Sequence, residues 1–437
     1  MKRITIIGTG YVGLVSGAGL SDFGHQVRCV DKDKEKIDLL NDGIIPIHEP
    51  GLKTLITRNN NAKRLTFSVE IEDSIKWAQV ILITVGTPQG KNGNADISAV
   101  IAVAKQIGKN LNKYKVICTK STVPIGTGKT IQKIIDQNNR DKIKYDYCSN
   151  PEFLREGAAV RDFLHPDRIV FGATSDKAFE YLKDIYRPLY INKTPFVYTT
   201  VETAEMIKYA ANSFLAVKIS YINEIANLCD EIGADVHVVA NALGTDGRIS
   251  PKFFHPGPGF GGSCFPKDTK AFIEIAKNYN IDMAIVTAAI ETNIYQRKRM
   301  VNKLIELLDD DLKGKIIAVL GLAFKQETDD VRESPAIQII TSILEKGGVI
   351  KAYDPIANES MKKIFPELDY TSNWHEAVEG CDAAVIMTEW NEFRSLDLEK
   401  MKNLMSQPVV LDTRNILDVS ELKRLEFKFD NVGHKVA

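Results

Sequence analysis

Apolar positions in residues 1–196 alternate between short solid runs and stretches with helical spacing. The runs fall at 4–7, 26–31, 80–85, 116–119 and 146–149. Solid apolar runs separated by amphipathic segments predict βαβ units and a mainly parallel sheet. The pattern changes at 201–232, where helical spacing continues without Pro or Gly as far as Gly233. Met206, Ile207, Tyr209, Phe214 and Leu215 read as packing residues of that long helix. A second helical stretch covers 267–308. From Gly314 the alternation returns, with strand-like runs at 315–321, 349–354, 383–388 and 409–412 and a helix over 337–346. This organisation predicts an α/β protein in three regions: 1–196, 197–312 and 313–437.

A chain of 437 residues can bury several cores. Lys and Arg total 56 against 57 Asp and Glu, for a net charge of −1. No basic block is present, so neither nucleic acid nor an anionic membrane is an expected partner. The chain opens Met1-Lys2-Arg3 directly into a strand-like run, and no 18-residue apolar run appears. A cytoplasmic protein without a signal peptide or membrane span is expected. Six cysteines are scattered without a CxxC pair, and seven histidines form no HxxxH or HExxH pattern. Reduced thiols and no metal are therefore expected.

Gly8-Thr9-Gly10-Tyr11-Val12-Gly13 follows the first run and opens a helical stretch, the context a dinucleotide-binding turn requires. Gly8 would make the turn, Gly10 would admit a pyrophosphate, and Gly13 would allow close packing of helix on strand. Asp31 ends the second run, where an acid binds a ribose 2′-hydroxyl and repels a 2′-phosphate. NAD is thereby favoured over NADP. Lys36 lies within reach of the adenosine end.

Near the centre, Gly257-Pro258-Gly259-Phe260-Gly261-Gly262-Ser263-Cys264-Phe265-Pro266-Lys267-Asp268 sets one cysteine between a glycine loop and a helix start. Unpaired N–H groups and a nearby lysine would stabilise a thiolate there. The glycines admit a closely approaching ligand, and they also permit a flexible lid. A buried structural cysteine is the alternative. Lys208 and Asn212 lie four apart on one helical face and could donate to an oxyanion; a solvated face is the alternative. The clusters at 120–124 and 149–157 follow strand ends, where ligands bind in such folds, although ordinary turn chemistry also explains them. In the third region, 318–325 is a strand and turn without GxGxxG. Lys325 and Arg332 there could serve phosphates or carboxylates, as in a degenerate nucleotide-binding fold.

Taken in order, GTGYVG, HEPGL, GTP, KSTVP, NPEFLREG, DRIVFG, KYAAN, GFGGSCFPKD, GLAFK, TDDVRESPA, YDP and DTRN resemble the UDP-glucose/GDP-mannose dehydrogenase family over nearly the whole chain. The resemblance implies two Rossmann-like, doubly wound parallel-sheet domains joined by a long central helix that also supports a homodimer. It implies NAD-dependent, four-electron oxidation of UDP-glucose at C6 to UDP-glucuronate, through a thiohemiacetal and a thioester on Cys264. Lys208 and Asn212 would stabilise the oxyanion, while Asp268, Thr122 and Glu152 would move protons and activate water. NAD would meet Gly8, Gly10, Tyr11, Val12, Gly13 and Asp31, together with Lys36, Thr87, Thr122, Glu156, Lys267 and Arg332. UDP-glucose would meet Glu152, Phe153, Leu154, Arg155 and Glu156, then Lys208, Asn212 and Arg248. Phe253, Phe254, His255, Pro256, Gly257, Gly261, Lys325 and Arg414 complete its expected contacts. One arginine of the Arg248 and Arg414 pair would come from a neighbouring subunit. GDP-mannose or a UDP-N-acetylhexosamine is the alternative substrate. A two-electron dehydrogenase of the 6-phosphogluconate type and a non-catalytic nucleotide-sugar sensor are the remaining readings.

Overall fold

The computed structural model, described over residues 1–90 and 93–434, forms two compact units. The first comprises residues 1–211 and 270–280, and the second comprises 212–269 and 281–437.

The first unit is built on eight strands: β1 (Arg3–Ile7), β2 (Gln26–Val30), β3 (Leu65–Ser68), β4 (Val80–Ile83), β5 (Lys115–Thr119), β6 (Tyr145–Ser149), β7 (Ile169–Ala173) and β8 (Phe196–Thr199). Their order across the sheet is β3-β2-β1-β4-β5-β6-β7-β8. Pairing is parallel except between β6 and β7, where Cys148 faces Ala173 antiparallel. The solid apolar run of β4 is buried on both faces, as a central parallel strand requires. Two cores cover the two faces, one around Leu14, Leu20 and Phe171 and the other around Ile81, Ile83 and Ile107.

The second unit carries β9 (Ile316–Leu320), β10 (Val349–Tyr353), β11 (Asp369–Tyr370), β12 (Ala383–Ile386), β13 (Val409–Asp412) and β14 (Lys428–Asp430). All pair in parallel, in the order β11-β10-β9-β12-β13-β14. Each sheet reverses strand order beside its first strand, at β1/β4 and at β9/β12. Such switch points place ligands at the strand C-termini. The strands that apolar runs did not predict lie toward the sheet edges. Leu65–Ser68, for example, buries only alternate positions.

One helix spans Val201–Ile232, as the spacing predicts, and the chain passes from the first unit to the second within it. Two expectations need correction. The stretch 267–308 is two helices, Phe265–Lys277 and Ala284–Leu307. Asn280, at φ +57°, takes the left-handed conformation that ends helices. Met206 and Phe214, read as packing residues, are exposed. Phe214, Tyr221 and Leu228 recur every seven residues along one uncovered stripe of the helix. Helical periodicity shows that residues share a face, not what covers it.

Candidate active site

In the first unit, Gly8 turns at φ +105° and its N–H reaches Val30 carbonyl at 2.8 Å. A Cβ at Gly13 would lie 1.9 Å from Gly8 carbonyl oxygen, so helix and turn touch backbone to backbone. A Cβ at Gly10 would meet nothing within 4 Å. Gly10 therefore borders an open cradle in front of the helix Tyr11–Asp22, whose first turn has no side-chain cap. Uncapped N–H groups at a helix start suit a pyrophosphate. Asp31 Oδ2 accepts from Thr9 N and Thr9 Oγ1, both at 2.8 Å, and faces Lys36 at 3.6 Å. Burial pushes its carboxyl up, but the Thr9 bonds and Lys36 outweigh that and hold it below its ordinary value. These residues fit NAD: a cradle for the pyrophosphate and a fixed carboxylate for the ribose. Gly10→Ala should leave the thermal midpoint near that of the parent while NAD affinity falls about tenfold by equilibrium binding, because the added methyl meets ligand rather than protein. Gly13→Ala should instead destabilise the fold, since its methyl meets backbone.

Behind this turn, Gly157 N donates to Tyr11 hydroxyl and to Glu49 Oε2, each at 2.7 Å. The HEPGL acid thus secures the loop 150–157 beside the glycine turn. Within that loop Glu152 is buried against Lys208, Oε1 to Nζ 2.9 Å, and its Oε2 accepts from Leu154 N at 2.7 Å. Burial alone would push the Glu152 carboxyl up; the Lys208 ammonium and these bonds prevail and keep it below its usual value. Lys208 also faces the Phe153 ring at 5.3 Å, with Arg168 at 3.6 Å from the same ring. Lys208 is thus no solvated face.

Sequence reasoning quoted KSTVP but missed Lys120. This lysine is buried, donating to Asn150 Oδ1 at 3.3 Å and Tyr186 hydroxyl at 3.2 Å. Burial lowers it to about 8 against the attraction of Glu152. A lysine at a strand C-terminus just before a hydroxyl-rich turn was the available signal. Unfolded, it would hold its proton up to the ordinary value of 10.5, so between about 8 and 10.5 the unfolded chain binds more protons and stability rises with pH. Lys120→Met should flatten that rise in urea midpoints measured across the interval. Lys115, depressed in the same way, keeps some of it.

In the second unit, Asn212 Nδ2 donates to Asp268 Oδ2 at 2.7 Å, and Lys267 forms an ion pair with the other oxygen of Asp268. Asp268 N closes the first turn of the helix Phe265–Lys277 on Cys264 carbonyl at 2.8 Å. Cys264 stands at that helix start, partly exposed, with Ser263 Oγ 3.5 Å from its Sγ. The other five cysteines are buried. Cys264 thus combines access with a helix N-terminus, the setting that favours a thiolate.

The preceding glycine loop is tied to the helices beside it. Gly257 N donates to Asn223 Oδ1 at 2.9 Å, and Gln296 Nε2 donates to Gly257 carbonyl at 2.9 Å. Asn293 clasps Phe260 on both sides, N–H at 2.7 Å and carbonyl at 3.1 Å, and Arg297 adds 2.6 Å to the same carbonyl. Gly259, at φ +105°, leaves 2.6 Å between a would-be Cβ and Asn293 Oδ1. Its glycines allow close packing and a left-handed backbone at Gly259 and Gly262. Asn223, Asn293, Gln296 and Arg297 escaped the sequence reading because polar residues inside helices carry no motif.

Gly257 lies beside Arg414, whose guanidinium donates to Phe324 carbonyl at 2.9 Å and Met387 carbonyl at 2.8 Å and pairs with Glu389 at 3.2 Å. Gly261 packs on Glu333 carbonyl, and Lys325 lies 5.4 Å from the Phe324 ring. Gly262 N donates to Arg332 carbonyl at 2.9 Å, so Arg332 borders the glycine loop. Arg155 forks onto Asp162, Arg332 onto Asp330, and the exposed Arg248 onto Asp246. His255 is exposed. Among the described residues no group of three His, Cys, Asp or Glu could hold a metal, and no helix is long and apolar enough to cross a membrane.

Three domains of the UDP-glucose/GDP-mannose dehydrogenase family match this chain: the NAD binding domain over residues 2–190, the central domain over 202–295 and the UDP binding domain over 318–419. A curated UDP-glucose 6-dehydrogenase of Bacillus subtilis is 46% identical over 434 residues, covering 99% of this chain and 93% of that protein. Another from Rhizobium meliloti is also 46% identical, covering 99% of each. Among solved structures, a UDP-glucose dehydrogenase from Pyrobaculum islandicum superposes with a TM-score of 0.92 at 35% identity, over 100% of this chain and 98% of that one. A UDP-D-ManNAc dehydrogenase from Pyrococcus horikoshii gives 0.86 at 27%, over 99% of each.

Proposed function

This chain belongs to the UDP-glucose/GDP-mannose dehydrogenase family, and we infer that it oxidises UDP-glucose at C6 to UDP-glucuronate with NAD. The observation that carries the chemistry is the partly exposed Cys264 at a helix start, beside Asp268 and Asn212. An alcohol-only dehydrogenase needs no thiol there. NAD, when bound, takes up the electrons of both oxidations as hydride; the chain supplies the rest.

The Cys264 thiolate adds to the C6 aldehyde, forming a C–S bond and an oxyanion that becomes the thiohemiacetal hydroxyl. Lys208 and Asn212 donate to that oxygen. The second oxidation leaves a thioester, and water displaces the sulfur, returning a thiolate and releasing the carboxylate. Asp268 and Glu152, with Thr122, take the protons that the alcohol and the water give up. Capture of the aldehyde both prevents its escape and makes carbon tetrahedral, so that a second hydride can leave. Gly8, Gly10, Gly13 and Asp31 hold NAD, with Tyr11, Val12, Lys36, Thr87, Thr122, Glu156, Lys267 and Arg332 as the remaining contacts. Phe153, Leu154, Arg155 and Glu156, the segment 253–257, Gly261, Lys325 and Arg414 hold the nucleotide sugar. Regions 1–196, 197–312 and 313–437 accordingly serve NAD binding, dimerisation with catalysis, and UDP-sugar binding.

UDP-glucose is preferred to GDP-mannose or the acetamido sugars because the full-length relatives at 46% identity are UDP-glucose 6-dehydrogenases. The deciding experiment measures NADH formed per UDP-glucose consumed and initial rates with the competing nucleotide sugars. Two NADH per sugar is expected. One NADH, or turnover of another sugar alone, defeats the reading.

A cytoplasmic homodimer through the central helix completes the proposal. It is supported by the uncovered Phe214, Tyr221 and Leu228 stripe, and by Arg248, which stays exposed although it pairs with Asp246. Tyr221→Asp with Leu228→Asp should shift sedimentation equilibrium toward monomer and lower activity with it.

A further inference from the structure

Glu205 takes no part in the chemistry above, yet it is 2% exposed. It sits on the helix Val201–Ile232, three residues before Lys208. Its Oε2 accepts from Gly126 N at 2.6 Å and its Oε1 from Gly128 N at 2.9 Å. Gly126 stands at the N-cap of the helix Thr127–Asn138, at φ +87°, and offers no side chain to the first-turn N–H groups. Glu205 therefore caps that helix from another part of the chain, and its charge suits the positive helix end. The approach is tight: a Cβ at Gly128 would fall 2.4 Å from Val201 and 2.8 Å from Tyr147.

The capped turn ends the segment 120–128, which carries Lys120 and Thr122. Its other end is fixed by Ser121 Oγ on Val85 carbonyl at 2.7 Å and by Thr87 Oγ1 on Thr122 carbonyl at 2.8 Å. One carboxylate thus ties this segment to the helical turn that presents Lys208 to Glu152. We propose that Glu205 is a positioning residue for the reaction: it holds Thr122 in register with the Lys208–Glu152 pair without touching substrate. The proposal rests on the role given to Thr122 above.

The charged groups facing Glu205 are the Glu202–Lys129 pair, 3.0 Å apart; the neutral Tyr147 hydroxyl, which donates to Thr119, also faces it. Burial pushes the Glu205 carboxyl up to about 7 in spite of its two N–H donors. A carboxylate accepts from both amides; once protonated, one oxygen becomes a donor and an amide loses its partner.

Full-length Glu205→Gln tests this, because its amide offers one acceptor oxygen and turns an NH2 toward the second N–H. The dissociation constant of NAD, measured by equilibrium binding without sugar, should rise about tenfold, and kcat should fall by a similar factor. KM for UDP-glucose should stay within about twofold, since the sugar's own contacts are intact. The step near pH 7 in parental kcat/KM for NAD should vanish. A lowered thermal midpoint with parental NAD affinity and pH profile overturns the proposal, leaving Glu205 a stabilising cap only. Should the glutamine variant not accumulate folded, Glu205→Asp replaces it. One methylene short, aspartate cannot span both amides, so parental NAD affinity there also overturns the proposal. Failure of the unaltered protein to oxidise UDP-glucose would instead count against the proposed function, because the NAD measurement needs no sugar.

Discussion

Cys264→Ala should end uronate formation, with a fall of ~10⁴-fold or more in acid produced, while the folded protein and its NAD affinity persist. The side chain is small, partly exposed and stands at a helix start, so its removal opens little cavity. Asp268 N still closes the helix turn on the residue 264 carbonyl. What disappears is the only accessible thiol among the described residues, and with it the nucleophile that makes the aldehyde tetrahedral. Separation of the products by ion-exchange chromatography, alongside NADH absorbance, reads the result directly. Parental rates of uronate formation in this variant would sink the covalent scheme, as would failure to detect a sugar adduct on Cys264 by mass spectrometry when hydrolysis is blocked.

The second large effect is at Lys208. Lys208→Ala leaves Glu152 buried without its ion-pair partner, a loss of about 3–5 kcal/mol when one member of a buried pair is removed. Activity should fall ~10²–10³-fold with it, the cost of removing one oxyanion donor. The two effects separate by pH. In the parent the folded carboxyl lies below the ordinary glutamate value, so the pair contributes stability above that value and loses it as pH falls. In the variant burial prevails, the carboxyl rises and takes up a proton, and the stability deficit narrows as pH falls. Urea midpoints at neutral and mildly acidic pH should show this convergence. Lys208→Met with Glu152→Gln should regain most of the stability and none of the activity. An active double variant would remove Lys208 from the chemistry.

Much of this molecule is legible from sequence where one residue type suffices for a physical demand. Gly8 and Gly13 announce themselves because only glycine fits the left-handed turn at Gly8 and the backbone contact between that turn and the helix at Gly13. Val80–Ile83 reads as a central strand because both its faces are apolar. Cys264 stands out beside Pro266 and Asp268, residues suited to a first helical turn. Legibility fails where the partner is distant in the chain. Nothing near Glu205 announces two amides 77 and 79 residues away. Asn293 and Arg297 look like ordinary helical polar residues until the glycine loop lies against them. Phe214 and Arg248 fail in the opposite sense, since sequence shows their chemistry but not their exposure.

Because residues 270–280 return to the first unit after the chain has already entered the second at Asn212, no single cut separates the two. A fragment stopped at 211 would leave behind eleven residues of its own body, Phe272 among them, and uncover the Tyr209 ring, whose centroid lies 5.9 Å from that of Phe272. An autonomous nucleotide-binding piece would have to be spliced, with 270–280 joined back through an artificial connector. Recombination that swaps one half of such an enzyme for another therefore meets an obstacle written into the path of the chain, and new sugar preferences are easier to reach by point substitution than by exchange of halves.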